Sequence, residues 1–433
     1  MWIGFLKASY LLPHQEEAIK FSRRLPSSLL YLKPGTGKTL IGLHLGKEQR
    51  TAFVVPASLC RNWLSENEKF GVISNLTWWN PAKSKEYPID SFVCSYEALL
   101  KLDISKLKSF KMFVFDECHK LKSEDSQRTK HVYKVISKLK PQTVFLSGTP
   151  FTTTVADAYS QYLILDSANP ESPLHTEEEF RSLSAFKGNF MFMEGHRQVT
   201  TKTGKTVKIP QYSGFQNQTR FFELTDPITF RKELDLNLPE LNHQILVVNA
   251  SRVPKEVDLQ LQEMALSLGK DVTHFQTARK LSALAKAKAF ADIIQEYHET
   301  SGAIVAFSCF PDVLDVVSTA IGSKLKVKIL GAKTSQTDRG VITQEFQQGK
   351  IDVLLCSLLV AREGFTLTRA NTAIFNDISP VASDNEQASK RVHRIGQTRD
   401  CRIIYLSRGR IDSRLTVLCT EKKDVITVLD RGF

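Results

Sequence analysis

The stretch "LLYLKPGTGKTLIGL", Leu29 to Leu43, reads as a buried strand, a glycine turn and the start of a helix. The apolar run Leu29–Leu32 enters Pro34-Gly35-Thr36-Gly37, and Lys38-Thr39 leads into Leu40, Ile41 and Leu43. A phosphate-binding loop is usually written G-x-x-x-x-G-K-[ST], and the first glycine of that pattern falls here on Leu32. The context nevertheless suits phosphate. Glycines let backbone N–H groups approach phosphate oxygens, and a helix N-terminus adds favourable partial charge. Gly35, Thr36 and Gly37 would form the cradle for ATP, Lys38 would reach its β- and γ-phosphates, and the Thr39 hydroxyl would hold Mg²⁺. The chain carries its own control at Gly204-Lys205-Thr206, where no buried strand precedes the G-K-T and no apolar helix follows. That copy reads as a hairpin turn, so context carries the assignment and the tripeptide does not.

Apolar runs of four to six residues recur at Ala52–Val55, Phe92–Ser95, Met112–Phe115, Val144–Ser147, Ile245–Val248, Ile304–Phe307, Val353–Cys356, Ala373–Asn376 and Ile403–Leu406. Bounded by turn residues and separated by helix-like segments, they read as strands buried on both faces of parallel sheets. They are too many for one open sheet, and 433 residues exceed one comfortable core, so the expected fold is α/β with two parallel-sheet lobes. The expected boundaries are 1–167 for the first lobe, 168–240 for a basic insertion and linker, and 241–433 for the second lobe. Within the insertion, alternating segments flank Thr203-Gly204 and predict a β-hairpin at about 190–212. Arg197, Lys202, Lys205 and Lys208 make it basic.

In "MFVFDECHKLK", Asp116 and Glu117 follow an apolar run and so stand at the carboxyl end of a strand, the edge where parallel α/β sheets bind ligands. Asp116 suits Mg²⁺, and Glu117 suits orienting and deprotonating an attacking water. In "NEQASKRVHRIGQTR", Gln387, Arg391 and Arg394 are spaced i, i+4, i+7, which places them on one helix face. By itself this is a basic helix, solvated, lying on nucleic acid, or forking a γ-phosphate presented by another lobe.

The chain has 58 Lys and Arg against 46 Asp and Glu, a formal net charge of +12, which points to nucleic acid before membrane as the polyanionic partner. Its seven cysteines form no C-x-x-C pair, and buried thiols in a reducing compartment fit better than disulfides or zinc. The apolar stretch of "MWIGFLKASYLLPHQ" is too short for a signal peptide, so the expected location is the cytoplasm of a bacterium or a phage-infected host cell, not the secretory route.

In order, these strings resemble helicase superfamily two, and "VHRIGQT" is specific to its Swi/Snf-type ATPases. That resemblance implies two RecA-like lobes with an ATP cleft between them, and it accounts for the missing glycine, since this superfamily often writes the loop G-x-G-K-[ST]. "LLPHQEEAI" resembles the adenine-side motif and makes Gln15 a base contact. "FVVPASLCRNW" and "FVCSYEALL" resemble the DNA-facing motifs, implying DNA contacts at Ser58, Asn62, Trp63, Ser95 and Tyr96. "LSGTP" resembles the coupling motif, with Ser147 and Thr149. "VLLCSLLVAREGFTLTRANTAIFND" resembles the second-lobe motif, placing Gly364 near the nucleotide and Thr366 and Thr368 near the DNA backbone. Arg391 and Arg394 become arginine fingers, with Gln387 beside them. The family's acidic-Met-Gly-Leu run is replaced here by Lys33-Pro34-Gly35-Thr36, and "REGF" is a variant of a more glycine-rich string.

The expected activity is an ATP-dependent, Mg²⁺-dependent translocase or helicase on duplex, forked or junction DNA, giving branch migration, fork remodelling or reannealing. The short stretch after the last motif favours a minimal microbial or phage-type motor, monomeric and without a histone partner. The alternatives are an RNA helicase of the D-E-x-H class, a protein-displacing duplex translocase that separates no strands, and a non-catalytic DNA-binding scaffold.

Overall fold

The computed structural model describes residues 11–84, 86–148, 151, 154–169, 172, 174–200, 206–232, 238–248, 272–361, 365–394, 396–408 and 412. The chain divides into two compact units between Leu234 and Asp235.

The first unit is built on seven parallel strands. They are β1 (Ser27–Tyr31), β2 (Thr51–Val55), β3 (Thr77–Trp78), β4 (Phe92–Ser95), β5 (Met112–Asp116), β6 (Gln142–Ser147) and β9 (Thr229–Arg231), in the order β3-β4-β2-β5-β6-β1-β9. Successive residues of a strand point to opposite faces, and both faces here are covered. Phe113, Phe115 and Phe145 enter one core, while Val114, Val144 and Leu146 enter the other. The second core also receives Ala18 and Ile19 of α1 (Pro13–Arg23), Ile41, Leu43 and Leu45 of α2 (Lys38–Gly46), and Trp63 of α3 (Cys60–Phe70). Because all strands run the same way, β1, β2, β4, β5 and β6 deliver their carboxyl ends to one edge.

Much of the segment expected as a separate insertion belongs to this unit. Phe180, Phe186, Phe190, Phe215, Phe221 and Phe222 are buried in the same core as Phe151 and Tyr162, and β9 pairs in parallel with β1. A cluster of aromatic rings of this size has to be buried, and the open face of the first sheet is where it goes. From this base rises a two-stranded antiparallel hairpin, β7 (Phe192–Thr200) with β8 (Thr206–Ser213), irregular between Met193 and Gly195.

The second unit carries six parallel strands: β10 (Leu241–Val247), β11 (Ile304–Ser308), β12 (Val327–Leu330), β13 (Val353–Ser357), β14 (Thr372–Phe375) and β15 (Cys401–Ser407). Their order is β10-β15-β14-β11-β13-β12. The long helix Val272–Ser301 covers one face, with Ala287, Phe290 and Ile294 in the core. One expectation is corrected here. β10 is not buried on both faces: it pairs only with β15 at the sheet margin, and Ile245 and Val247 remain exposed. Among the described residues no helix is long and apolar enough to cross a membrane.

Candidate active site

The loop from β1 to α2 takes its shape from two glycines and a proline. Leu32 N still donates to Ser147 O at 3.1 Å, so the strand is held to β6 up to the turn. Gly35 (φ 90°) and Gly37 (φ 82°) then occupy the left-handed region that side chains avoid. Ile41 N donates to Gly37 O at 3.1 Å and closes the first turn of α2, where Lys38 and Thr39 sit. Lys38 Nζ donates to Leu32 O at 2.9 Å and Lys33 O at 3.3 Å, which lays the ammonium along the loop. Gln15, expected to face adenine, bonds to the loop. Its Nε2 donates to Thr36 O at 3.0 Å, its Oε1 accepts from Leu12 N at 2.9 Å, and the side chain is buried. His14, which no motif singled out, bonds to the same Thr36 oxygen at 2.9 Å.

Asp116 ends β5 at the same edge and is 5% exposed. Trp63 Nε1 donates to its Oδ2 at 3.0 Å, Glu117 N donates to Oδ1 at 3.0 Å, and Tyr96 Oη donates to its backbone oxygen at 2.8 Å. Burial, with the Glu117 charge second, pushes the Asp116 carboxyl up to about 6, while Lys38 and the Trp63 bond pull the other way. Glu117 adopts φ 53°, unusual for a residue with a side chain, and its Oε2 lies 3.2 Å from His119 Nδ1.

Two expected DNA contacts are corrected by this geometry. Trp63 is fully buried, with its ring 5.2 Å from Phe53, and Tyr96 is 1% exposed. Their polar tips serve Asp116 and their rings fill the sheet faces, because amphipathic aromatics bury their bodies and must pair their N–H or O–H. Of the other expected contacts in this unit, Asn62 is exposed on α3 and Ser58 is half-buried. Ser95 caps the helix after β4, its Oγ accepting from Ala98 N at 3.0 Å. Ser95 ends β4, and Ser58 and Asn62 follow β2, two strands whose carboxyl ends share the edge with the loop. Ser147 is buried at the end of β6, and Thr149 lies outside the described residues.

In the second unit the helix Ala382–Ser389 stops before the arginines, so Gln387, Arg391 and Arg394 do not share a helical face. Arg391 and Arg394 sit in the turns that follow, where Arg391 Nε donates to Ala361 O at 2.8 Å and Arg394 Nη1 to Phe365 O at 3.2 Å. Both arginines thus hold the chain on either side of Gly364, which itself lies outside the described residues. Gln387 is buried, Thr366 is half-buried, and Thr368 Oγ1 accepts from Gln347 Nε2 at 3.2 Å. On the hairpin of the first unit, Lys208 is exposed, the Arg197 backbone pairs with Ile209, and Lys202, Lys205 and the Arg197 side chain lie outside the described residues.

Comparison with known proteins places two family models in tandem, the DEAD/DEAH box helicase over residues 12–158 and the helicase conserved C-terminal domain over residues 285–396. Over 95% of its length the chain is 24% identical to an uncharacterized ATP-dependent helicase of Mycoplasma genitalium, of which it covers 41%. Over 96% it is 24% identical to a Caenorhabditis elegans homolog of the SWI/SNF-related regulator of chromatin subfamily A-like protein 1, covering 61% of it. It is also 24% identical, over 96%, to the human DNA annealing helicase and endonuclease ZRANB3, covering 40% of it. The chain thus carries both helicase domains in tandem, and it is similar to SWI/SNF-related proteins. It spans less than two thirds of the length of these relatives.

Two residues of the motif strings prove more telling than their neighbours. In "LSGTP", a Cβ on Gly148 would stand 2.9 Å from Pro34 Cδ and 3.2 Å from Lys38 Nζ, so this glycine lets the end of β6 pack against the glycine loop. In "RIGQT", Gln397 Nε2 lies within 3.1 Å of the Thr368, Ala370 and Val392 oxygens, and its Oε1 accepts from Thr398 N and Arg399 N. One carboxamide there ties the arginine turn to the Thr366–Thr368 segment. Sequence gives only the glycine and glutamine letters; the packing that makes them necessary is tertiary.

Proposed function

We propose that this Swi/Snf-type chain hydrolyses ATP to move along duplex or branched DNA. The observation that carries the reading is the pairing of a glycine loop and Lys38 with a buried carboxylate, Asp116, whose proton affinity is raised by burial and by Glu117. Such a carboxylate gains most from a cation. Asp116 and the Thr39 hydroxyl are the donors that fit Mg²⁺, and the metal when bound would neutralise phosphate charge. The loop N–H groups of Gly35 to Lys38 cradle the phosphates, and Lys38 turns from the loop carbonyls to the β- and γ-oxygens. Glu117, steadied by His119, orients the attacking water and takes its proton. The family resemblance gives Arg391 and Arg394 the stabilisation of transition-state charge on that nucleotide, and Ser147 and Thr149 the coupling of hydrolysis to movement.

Duplex DNA is the substrate favoured by the net charge of +12 and by the exposed Asn62 beside Ser58 and Ser95 at the loop edge. Branch migration, fork remodelling or strand reannealing would follow from translocation. The hairpin, with Phe192 and Met193 exposed at its base and Lys208 exposed on β8, suits a junction-guiding element. The deciding experiment compares ATP hydrolysis and product formation on duplex, fork, four-way junction, single strand and RNA. Stimulation by duplex or branched DNA supports the reading, whereas stimulation by RNA alone would replace it with an RNA helicase.

A further inference from the structure

The carbonyl oxygen of Thr36, within the phosphate loop, is gripped by two side chains from α1. His14 Nε2 lies 2.9 Å from it and Gln15 Nε2 lies 3.0 Å from it, and all three residues are buried. A carbonyl oxygen only accepts, so the imidazole must carry its proton on Nε2. The Thr36–Gly37 peptide is trans, so its C=O and N–H point in opposite directions. Holding the oxygen against α1 therefore aims the Gly37 N–H away from α1. This peptide is otherwise easy to flip, because one of the two torsions that turn it is the φ of a glycine. Position 37 suits glycine, since its φ is 82° and a Cβ there would stand 2.2 Å from Gln15 Nε2 and displace it from the loop.

We propose that His14 is a positioning residue which, with Gln15, locks the Thr36–Gly37 peptide so that its N–H is presented to the β-phosphate of a nucleoside di- or triphosphate. The proposal rests on the nucleotide-site reading and deepens it. His14 touches no phosphate; it acts through the backbone of the loop, and it makes affinity for phosphate depend on a helix outside that loop.

The test measures binding of ADP and of adenosine to the full chain, with ATP hydrolysis kinetics alongside, for wild type, His14→Phe and His14→Gln. Phenylalanine keeps a flat ring without the donor, and glutamine restores an N–H. His14→Phe is expected to weaken ADP about tenfold, the size of one lost hydrogen bond. Adenosine binding stays unchanged, and KM for ATP rises more than kcat falls. His14→Gln recovers most of the loss. His14→Leu, which also removes the donor, gives the same selective loss and serves if His14→Phe does not fold. Equal losses for ADP and adenosine would show a packing defect and overturn the proposal, as would unchanged ADP affinity or a His14→Gln as weak as His14→Phe. Wild-type protein that binds no ADP would instead remove the nucleotide-site reading on which the proposal stands.

Discussion

Asp116 is costly to keep charged, and that cost has a sign that can be measured. Its carboxyl, pushed up to about 6 by burial and by Glu117, holds its proton in the fold at pH values where the unfolded chain has released it. The stability it contributes is complete below the ordinary carboxylate range and is lost as pH rises through about 6. Asp116→Asn is therefore expected to be near neutral at pH 4 and stabilising by on the order of 2 kcal/mol at pH 8. Urea unfolding at the two pH values checks this, and the same variant should lose Mg²⁺-dependent ATP hydrolysis. Trp63→Phe keeps the ring beside Phe53 but removes the N–H that favours the ionised carboxylate. The onset of ATP hydrolysis should then move to higher pH, with several-fold less activity at pH 6 and near wild-type activity at pH 8, read from a pH–rate profile. Gly148→Ala would press a methyl group on Pro34 and Lys38. Overpacking of this kind costs about 1–3 kcal/mol, and because it falls on the loop it should appear as a raised KM for ATP more than as a lowered melting temperature.

At the scale of elements, central strands were legible in the sequence and marginal ones were not. Runs such as "MFVF" and "VLLCS" are apolar throughout because both faces are covered. β3, β9 and β12 lie at or next to sheet margins, are short or carry polar residues, and gave no such run. β10 misled in the opposite way, as an apolar stretch whose Ile245 and Val247 stay exposed at an edge. The arginine string failed for a related reason. Spacing of i, i+4, i+7 is compatible with a helix but does not say where the helix ends, and here it ends at Ser389. The hairpin carries its own prediction. Replacing Gln198–Ile209 by a short turn should leave basal ATP hydrolysis intact, since the phosphate loop and Asp116 lie on other elements, and should lower product formation on forks. Unchanged fork activity would assign the hairpin a packing role.

On the scale of the whole molecule, the predictions rest on charge and on the second unit. If lysines and arginines meet phosphates along a duplex, affinity should fall steeply and log-linearly between 50 and 200 mM salt, by on the order of 10³ for six or more contacts. A flat response in a salt titration would contradict duplex tracking. Arg391→Ala and Arg394→Ala should leave ADP binding by the first unit within a few-fold of wild type. Hydrolysis should fall by about 10³ or more, the loss typical of a missing arginine finger. Single-turnover kinetics would separate the two effects.

By itself the sequence determined the α/β class, the glycine turn between strand and helix and the acidic residue at a strand end, because glycine torsions, apolar runs and charge are local properties written in the residue letters. It also carried the resemblance to helicases, through strings that keep their order along the chain. What only the tertiary structure decided is how those residues are held. Trp63 and Tyr96 turn inward to Asp116, Gln15 and His14 share one loop oxygen, and Gly148 abuts Lys38. Each of these pairings joins residues about 20 to 110 positions apart in sequence, and no local pattern specifies which partner a buried donor will find. Packing and the need to satisfy every buried polar group specify it.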